Sequence, residues 1–126
     1  MKRIISTPLA PAPIGPYNQA IFSGDTLYIS GQIPMNPETG KLVSGDIQEE
    51  TRMVMSNLKA ILAAADLTFE HVVKSSIFLS DMNSFAKVNE VYGEFFNEKT
   101  APARETVEVA NLPKFVNVEI SMIAVV

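Results

Sequence analysis

The 126-residue chain contains no cysteine and one histidine, His71. The absence of cysteine excludes a disulfide, a thiol nucleophile and a thiolate metal site. His71 falls between a predicted helix and a predicted strand, and we interpret it as solvent-facing rather than as a general base. Any chemistry must therefore come from arginine, glutamate, tyrosine, serine, threonine and asparagine.

Long apolar runs and runs of basic residues are also missing. No apolar stretch approaches the ~20 residues that a membrane span needs, and the apolar run after Met1-Lys-Arg3 is too short for a signal peptide. We therefore expect a cytoplasmic protein with no membrane partner. The net charge of −4 and the scattered lysines and arginines argue against a nucleic-acid partner, and no glycine-rich phosphate loop is present.

The remaining composition is that of an ordinary globular protein. Apolar residues make up 47% of the chain and charged residues 19%, which separates it from disordered sequences. The length suits one hydrophobic core. We expect a single domain over residues 1–126.

Local patterns predict a chain of alternating strands and helices. Gly24-Asp25 separates two strand-like segments, 20–23 and 26–30, and predicts a β-hairpin. Further strands are predicted over 72–79, 105–109 and 116–125, and residues 4–6 are a candidate first strand. Residues 8–16 hold four prolines and are predicted to be an extended loop.

Two segments have the apolar spacing of helices. Asp46 is predicted to begin the first helix, with Glu49 completing a capping box. Seven of its residues share one inward stripe that ends near Ala65: Ile47, Thr51, Val54, Leu58, Ile61, Leu62 and Ala65. The second helix is predicted from about Asn83, with an inward, core-forming stripe: Phe85, Val88, Tyr92, Phe95 and Phe96.

This order of elements predicts an α+β fold with a mixed sheet and both helices on one face. The other face of the sheet would then carry Ile21, Tyr28, Ile123 and Val125 among polar groups. Such a surface is too apolar to be left in water as one patch. We therefore expect another subunit to cover it.

The most informative candidate group is Glu119, in the middle of an apolar strand. Because strand side chains alternate between faces, Glu119 lies opposite the wholly apolar face of this strand. A carboxylate there is partly desolvated and requires a cation or hydrogen-bond donors. It is a candidate acid–base group, and the alternative is a structural strand carboxylate whose hydrogen bonds are satisfied.

Arg104 is the matching candidate cation. It lies at the beginning of the predicted strand 105–109, and its planar fork can donate two parallel hydrogen bonds to a carboxylate. An Arg104 and a Glu119 carried by two strands of one sheet would bind a small carboxylate beside an acid–base group. The alternative is a structural salt bridge between Arg104 and Glu119 or another acid.

Four further residues are candidates for contact with a ligand. Tyr17 follows the proline-rich loop and offers a ring and a hydroxyl, while Ser30 and Gly31 lie where a strand ends and a ligand can approach the backbone. Asn89 interrupts the apolar stripe of the second helix, so its amide needs a polar partner. Simple packing or interface hydrogen bonding is an equally good interpretation of Tyr17, Ser30 and Asn89.

A set of short motifs, in register over essentially the whole chain, resembles the RidA/YjgF family. The motifs are Ile14-Gly-Pro-Tyr17, Ser30-Gly-Gln-Ile-Pro34, Asn57-Leu-Lys-Ala60, Val88-Asn89, Pro102-Ala-Arg104, Val107-Glu-Val-Ala110, Leu112-Pro-Lys114 and Val118-Glu-Ile120. One tripeptide alone is a weak signal, but this ordered set is a specific one.

The resemblance implies a chorismate-mutase-like α+β subunit that forms a homotrimer with its sites in the clefts between subunits. It also implies hydrolytic deamination of 2-iminobutanoate and 2-iminopropanoate to 2-oxo acids and ammonia, without a cofactor or a metal. Arg104 would hold the substrate carboxylate, and Glu119 would position the attacking water. Tyr17, Ser30, Gly31, Asn89 and Thr106 would complete the substrate site.

The chain departs from the family pattern at one place. Many family members have Ser-Cys after the site arginine, whereas this chain has Glu105-Thr106. A thiol therefore takes no part here, although Thr106 retains a hydroxyl and a backbone N–H. Glu105 is expected on the sheet face opposite Arg104, in solvent.

Two other functions are compatible with the same residues. A sensor would bind 2-oxo acids or amino acids in the Arg104 cleft without turnover, and it would not need Glu119 as a proton carrier. RNA cleavage has been attributed to some relatives, but the acidic charge and the single histidine disfavour it. The imine deaminase is the function that we expect.

Overall fold

Six strands form one mixed sheet, and two helices lie on one of its faces, in the computed structural model, which describes residues 2–126. The strands are β1 Lys2–Ile5, β2 Ala20–Ser23, β3 Thr26–Gln32, β4 Val72–Leu79, β5 Ala103–Glu108 and β6 Val118–Val125. The helices are α1 Ile47–Ala64 and α2 Phe85–Gly93. The strand order is β1-β2-β3-β6-β4-β5, with β4 and β5 parallel and the other neighbours antiparallel.

This architecture confirms the predicted α+β fold with both helices on one face. The predicted hairpin is formed by β2 and β3, and the predicted strand over 72–79 is β4. Other boundaries differ by about two residues: β1 begins at Lys2, and β6 begins at Val118. The predicted loop over 8–16 contains neither helix nor strand.

Helix α1 begins where the sequence predicts, but its capping differs. Oδ1 of Asp46 accepts a hydrogen bond from the backbone N–H of Gln48 at 2.8 Å. The predicted capping box is wrong, because the Glu49 carboxylate instead pairs with Arg52 at 3.1 Å, one helical turn along. An exposed ion pair of this spacing contributes only a few tenths of a kcal/mol, whereas an N-cap side chain contributes about 1 kcal/mol, so Asp46 stabilises this end of the helix more than the pair does.

The hydrophobic core lies between α1 and the centre of the sheet. Val54, Leu58 and Ile61 of α1 are fully buried, as are Leu27 of β3 and Ile120 of β6. The predicted inward stripe of α1 is therefore confirmed at its centre. Since β3 and β6 are neighbouring central strands, the helix fixes the part of the sheet that carries Gly31 and Glu119.

Helix α2 packs near the β5 edge of the sheet, and this changes which of its residues are inward. A 3₁₀ turn, Met82–Ser84, precedes it and is capped by Asp81. Val88 and Tyr92 are buried as predicted, but Phe85 is 40% exposed, so its prediction as a core residue is wrong. Residues 85–87, in the first turn of the helix, are exposed instead of packed in the core.

The sheet face without helices carries a continuous apolar row. The strand registers pair Ile4 with Ile21, Ile21 with Tyr28, and Tyr28 with Ile123, so the row crosses β1, β2, β3 and β6. Ile4 and Tyr28 are about half exposed, at 55% and 47%. We call this side the open face.

Within residues 2–126, no helix combines the length and the apolar composition needed to cross a lipid bilayer.

Candidate functional site

Arg104 lies on β5, at the edge of the sheet, on the side that the helices cover. The strand registers pair Arg104 with Ser75 of β4, and Ser75 with Met122 of β6. Ser75 and Met122 are buried beneath the helices. Since directly paired residues share a face of the sheet, the Arg104 side chain also rises on the helix side.

Helix α2 supplies the groups that hold the guanidinium. Nη1 of Arg104 donates a hydrogen bond to Oδ1 of Asn89 at 2.9 Å. The guanidinium carbon lies 4.9 Å from the ring centroid of Tyr92 and 5.7 Å from that of Phe85. Residues 85, 89 and 92 are one and two turns apart, so they present one face of the helix to the cation. Both rings are within the range of cation–π attraction.

The Tyr92 ring is itself tied to the sheet. Its hydroxyl donates a buried hydrogen bond to Oγ of Ser75 at 2.9 Å. Burial raises the pKa of the Tyr92 phenol, and this effect exceeds the lowering by the Ser75 hydrogen bond and the Arg104 charge. The phenol is therefore neutral at physiological pH and does not neutralise Arg104.

A cleft of about 290 Å³ opens beside the guanidinium. It is lined by Asn89, Tyr92, Gly93, Phe96, Glu98, Ala101 and Arg104. Two residues beyond Arg104 on the same strand, the buried hydroxyl of Thr106 has no hydrogen-bond partner in the described part of the chain. We call Phe85, Asn89, Tyr92, Arg104 and Thr106 the arginine cleft.

Glu119 lies on the opposite side of the sheet. It pairs in register with Phe78 of β4, which in turn pairs with Val107 of β5, and this row belongs to the open face. Burial raises the pKa of the Glu119 carboxyl above its ordinary value. No hydrogen bond to this carboxylate occurs among the described side chains and backbone groups of residues 2–126.

Gly31 makes the space in which the Glu119 carboxylate lies. The β3–β6 register shifts between Ile29 and Gln32, so Ser30 and Gly31 sit in an irregular segment of β3. A Cβ atom added to Gly31 would overlap the Glu119 carboxylate, since even the carboxyl carbon would be only 2.8 Å away. Glycine is required here by close approach, not by backbone angle.

Ser30 and Tyr17 lie beside this glycine, in the segment that leads from the N-terminal loop. The Ser30 hydroxyl donates to the carbonyl of Asn18 at 2.6 Å, and the Tyr17 hydroxyl accepts from the backbone N–H of Ile14 at 3.3 Å. Tyr17 is 48% exposed, and with Ser30 it lines an open cleft of about 380 Å³. We call Tyr17, Ser30, Gly31 and Glu119 the glutamate surface.

The buried amide of Gln19 fixes this loop. Its Nε2 donates to the carbonyls of Thr7, Ala10 and Pro11 at 2.9–3.2 Å. Its Oε1 accepts from the N–H of Thr7 at 2.7 Å. One side chain thus satisfies four backbone groups of a proline-rich segment that has few backbone partners of its own.

The structure therefore groups the candidate residues into two sets rather than one. Arg104, Asn89 and Thr106 lie together on the helix side, whereas Tyr17, Ser30, Gly31 and Glu119 lie together elsewhere. A salt bridge between Arg104 and Glu119 is absent from residues 2–126, and Arg104 pairs with no other acid there. Opposite sheet faces keep the two groups of one chain from meeting on a small molecule.

The remaining titratable candidates have local partners. Glu105 lies on the open face, where Lys74 at 2.7 Å and Ser76 hold its carboxylate and lower its pKa. Nδ1 of His71 accepts the backbone N–H of Thr68 at 3.1 Å in a small capping box. Among the described residues, no three histidine, aspartate or glutamate side chains cluster as metal ligands would.

Sequence reasoning missed the roles of Tyr92, Phe85 and Ser75 around Arg104. The signal available was the spacing of Phe85, Asn89 and Tyr92, at offsets 0, 4 and 7 of one helix face. This stripe lies beside the predicted apolar one, and Phe85 and Tyr92 belong to both. Interpreting the aromatic residues only as core concealed the second stripe.

The fold and these two surfaces define an α+β domain with a cation held on one side of its sheet and a partly desolvated acid on the other. Residues 7–126 match the family model described as Endoribonuclease L-PSP. A RutC family protein of Pyrococcus horikoshii is 55% identical over 98% of each chain. The 2-iminobutanoate/2-iminopropanoate deaminase of Dermatophagoides farinae is 50% identical over 99% of this chain and 97% of its own.

The likeness extends to solved structures. The crystal structure of E. coli TdcF with bound serine superposes with a TM-score of 0.92 at 45% identity, covering 98% of both chains. This chain belongs to the RidA/YjgF family.

Proposed function

We propose that this protein hydrolyses small 2-imino acids, such as 2-iminobutanoate and 2-iminopropanoate, to 2-oxo acids and ammonia. The observation that carries the proposal is that Arg104 is held in place without an acidic partner in the described chain. Its guanidinium is held by an amide and two rings and has no acidic partner in residues 2–126. A cation held beside an open cleft in this way suits a carboxylate that arrives with a ligand.

The cleft also limits the size of that ligand. Its volume of about 290 Å³ suits an acid of a few carbon atoms. The unpartnered Thr106 hydroxyl lies on the same strand as Arg104, two residues away and on the same face. It is available to hydrogen-bond a ligand that Arg104 anchors, which would relieve the cost of a buried polar group without a partner.

The proposed sites need two copies of the chain. Arg104 and Glu119 face opposite sides of one sheet, and the open face presents an apolar row that water does not solvate well. We propose a homotrimer in which the arginine cleft of one copy meets the glutamate surface of the next. Three equivalent sites follow from the rotational symmetry of such an assembly.

The reaction then needs only water as a second reactant. Arg104 pairs with the substrate carboxylate, and the Glu119 carboxylate of the neighbouring copy accepts a proton from water as its oxygen bonds to the imine carbon. The imine nitrogen enters protonated, so the C=N electron pair neutralises it and gives a tetrahedral amino alcohol. Glu119 returns its proton to the nitrogen, the C–N bond breaks to release ammonia, and the hydroxyl proton passes to the Glu119 carboxylate. Ammonia takes up this proton as ammonium, which leaves the 2-oxo acid and restores Glu119.

Two of the similar proteins support this class of substrate. The relative from Dermatophagoides farinae is named as a deaminase of 2-iminobutanoate and 2-iminopropanoate. The E. coli TdcF structure holds serine, which carries a carboxylate and a nitrogen on the same carbon as a 2-imino acid does. The family model's description instead names an endoribonuclease, but a chain with a net charge of −4 has little attraction for phosphates.

Mixed trimers test both the chemistry and the sharing of sites. Arg104→Ala and Glu119→Gln chains with different tags are co-expressed, and mixed assemblies are purified through both tags. Hydrolysis is followed with imine supplied by a threonine dehydratase and semicarbazide as a competing trap. If each site combines two copies, the doubly purified mixed trimers recover about a third of their sites, although each variant alone is inactive.

A chain that carries both substitutions, mixed with the parent, is the matched control. In mixed trimers purified in the same way, it should leave about a sixth of the sites intact if they are shared, and about half if one chain supplies both groups. No recovery in verified mixed trimers would contradict shared sites. Full activity of either single variant would remove its residue from the reaction.

A further inference from the structure

Two residues of the arginine cleft, Arg104 and Tyr92, form a closed loop of contacts with Ser75. Arg104 pairs with Ser75 through the β4–β5 register, and its guanidinium lies over the ring of Tyr92. The Tyr92 hydroxyl returns to the side chain of Ser75. The strand neighbour of Arg104 therefore holds the ring on which the guanidinium rests.

This loop restricts a side chain that is otherwise flexible. Arginine loses much rotamer entropy when it is fixed, and on an edge strand few neighbours enforce one rotamer. The single hydrogen bond to Asn89 fixes one nitrogen of the guanidinium, but the guanidinium plane can still rotate about that hydrogen bond. The Tyr92 ring, whose centroid lies 4.9 Å from the guanidinium carbon, favours one orientation of this plane, since planar guanidinium groups stack on aromatic faces.

The burial of Ser75 and Tyr92 makes their part of the arrangement rigid. Ser75 is fully buried and Tyr92 is 5% exposed, so the hydrogen bond between them is protected from water. Tyr92 also packs against Phe96, with ring centroids 4.7 Å apart. The neutral phenol leaves the full charge of Arg104 for an incoming carboxylate.

We propose that Tyr92, tethered by Ser75, is a positioning residue that orients Arg104 for the substrate carboxylate. This inference rests on the proposed function, because it assigns Tyr92 a role in the same site. If Tyr92 were purely structural, it would only fill space in the core. Replacing it with another apolar residue would then leave the orientation of the Arg104 side chain unchanged.

The first test is a pair of substitutions at Tyr92. Tyr92→Leu removes the aromatic face, and we expect the affinity for 2-oxobutanoate, measured by calorimetry, to fall about three- to thirtyfold. Tyr92→Phe keeps the face and should retain most of the affinity. Phe95→Leu is the matched control, since Phe95 packs edge-on against Phe69 at 5.5 Å and belongs to another aromatic contact.

A second measurement reports on Arg104 without a ligand. An arginine over a ring has shifted NMR resonances because of the ring current, and the Arg104 Nε–H signal should move toward its ordinary position in Tyr92→Leu. The same signal should stay in place in Phe95→Leu. An unmoved Arg104 signal with parental affinity in Tyr92→Leu would overturn the inference, as would equal losses of affinity in both leucine variants.

The tether is tested by the double variant Ser75→Ala with Tyr92→Phe. It removes both partners of the hydrogen bond, so no buried group is left unsatisfied and the fold should persist even if Tyr92→Leu does not fold. We expect a partial shift of the Arg104 signal and a two- to threefold weaker affinity. An unchanged signal in this variant would overturn the role of Ser75.

The proposed function and this inference fail in different ways. If Arg104→Ala binds 2-oxobutanoate as well as the parent does, the carboxylate site is misplaced. If Arg104→Ala loses binding while Tyr92→Leu keeps both the affinity and the Arg104 signal, only the positioning role is wrong.

Discussion

The arginine cleft and the glutamate surface differ in how far one chain completes them. In the arginine cleft, Asn89 and Tyr92 hold the charged group of Arg104 in place. At the glutamate surface, the Glu119 carboxylate is desolvated, and the described chain gives it no hydrogen-bond donor. One chain thus orders the group that would bind substrate and leaves the group that would move protons unsatisfied.

The difference follows from what each group tolerates. A guanidinium is weakly hydrated and stacks on rings, so it can be held at a cleft without an anion. A carboxylate without donors is costly when it is desolvated, and the cost decreases if the group binds a proton. A raised affinity for protons is also what a general base needs near neutral pH. The comparison therefore agrees with the proposal that one surface binds the substrate and the other transfers protons.

The strongest test of this division is Glu119→Gln. The amide is nearly isosteric but cannot accept a proton from water, so we expect imine hydrolysis to fall by about 10²–10⁴-fold. Binding of 2-oxobutanoate by calorimetry should remain close to parental, since Arg104 is untouched. Glu105→Gln is the matched control, because Glu105 is an exposed open-face carboxylate that pairs with Lys74.

Unchanged hydrolysis in a folded Glu119→Gln protein would remove Glu119 from the reaction. If the unmodified protein binds 2-oxobutanoate but does not hydrolyse imines, the result would instead favour a sensor. Loss of both binding and hydrolysis in the variant would show that the two surfaces are not separable.

Arg104→Lys tests the other surface. Lysine keeps the charge but cannot make the paired contact to a carboxylate, so we expect about a ten- to hundredfold loss of affinity for 2-oxobutanoate. Arg52→Lys is a suitable control, since Arg52 pairs with Glu49 and Glu94 at the surface. Parental affinity in Arg104→Lys would make Arg104 a structural residue.

Gly31→Ala sharpens the comparison by disturbing the acid alone. The added methyl group would occupy the position of the Glu119 carboxylate and displace it. We expect roughly a tenfold slower hydrolysis with little change in 2-oxobutanoate affinity, because misplacement of about 1 Å is costly in catalysis. At Gly15, an added Cβ would meet only ordinary contacts with Tyr17 at 3.5 Å, so Gly15→Ala is the control. Equal rates in the two variants would contradict the role of the space at Gly31.

The smallest expected effect is a shift in pH dependence. Because burial raises the pKa of Glu119, the rate of hydrolysis should decrease on acidification with a midpoint above the ~4.3 of an ordinary glutamate.

The raised pKa of Glu119 also means that the folded state binds this proton more tightly than the unfolded state. The corresponding stabilisation is present below the unfolded pKa and is lost as the pH rises through the folded one. Both effects should be absent from Glu119→Gln, in rate profiles and in urea unfolding at several pH values.

Much of the fold was predictable because the local patterns are strong. The periodicity of α1, its Asp46 cap, the β2–β3 hairpin and β4 all appear in the structure as predicted. The start of α2 was less predictable, because a 3₁₀ turn with its own cap at Asp81 precedes the helix. That turn sets which helix face meets the sheet edge, and Phe85 is exposed as a result.

The division of the site could not be derived from the sequence. Arg104 and Glu119 are on strands separated by β4, so their relative faces depend on two pairings, one parallel and one antiparallel. A shift of one residue in either register would move a side chain to the other face. Residue patterns can identify each strand, but they contain little information about this register.

The two surfaces also differ in how they would form during folding. The arginine cleft comes from a contiguous β4–α2–β5 unit, whereas the contact between Gly31 and Glu119 joins segments near opposite ends of the chain. Closing a long loop costs more entropy than closing a short one, and distant pairings slow folding. We therefore expect the binding surface to be assembled early and the acid to be brought into place only when β6 inserts between β3 and β4.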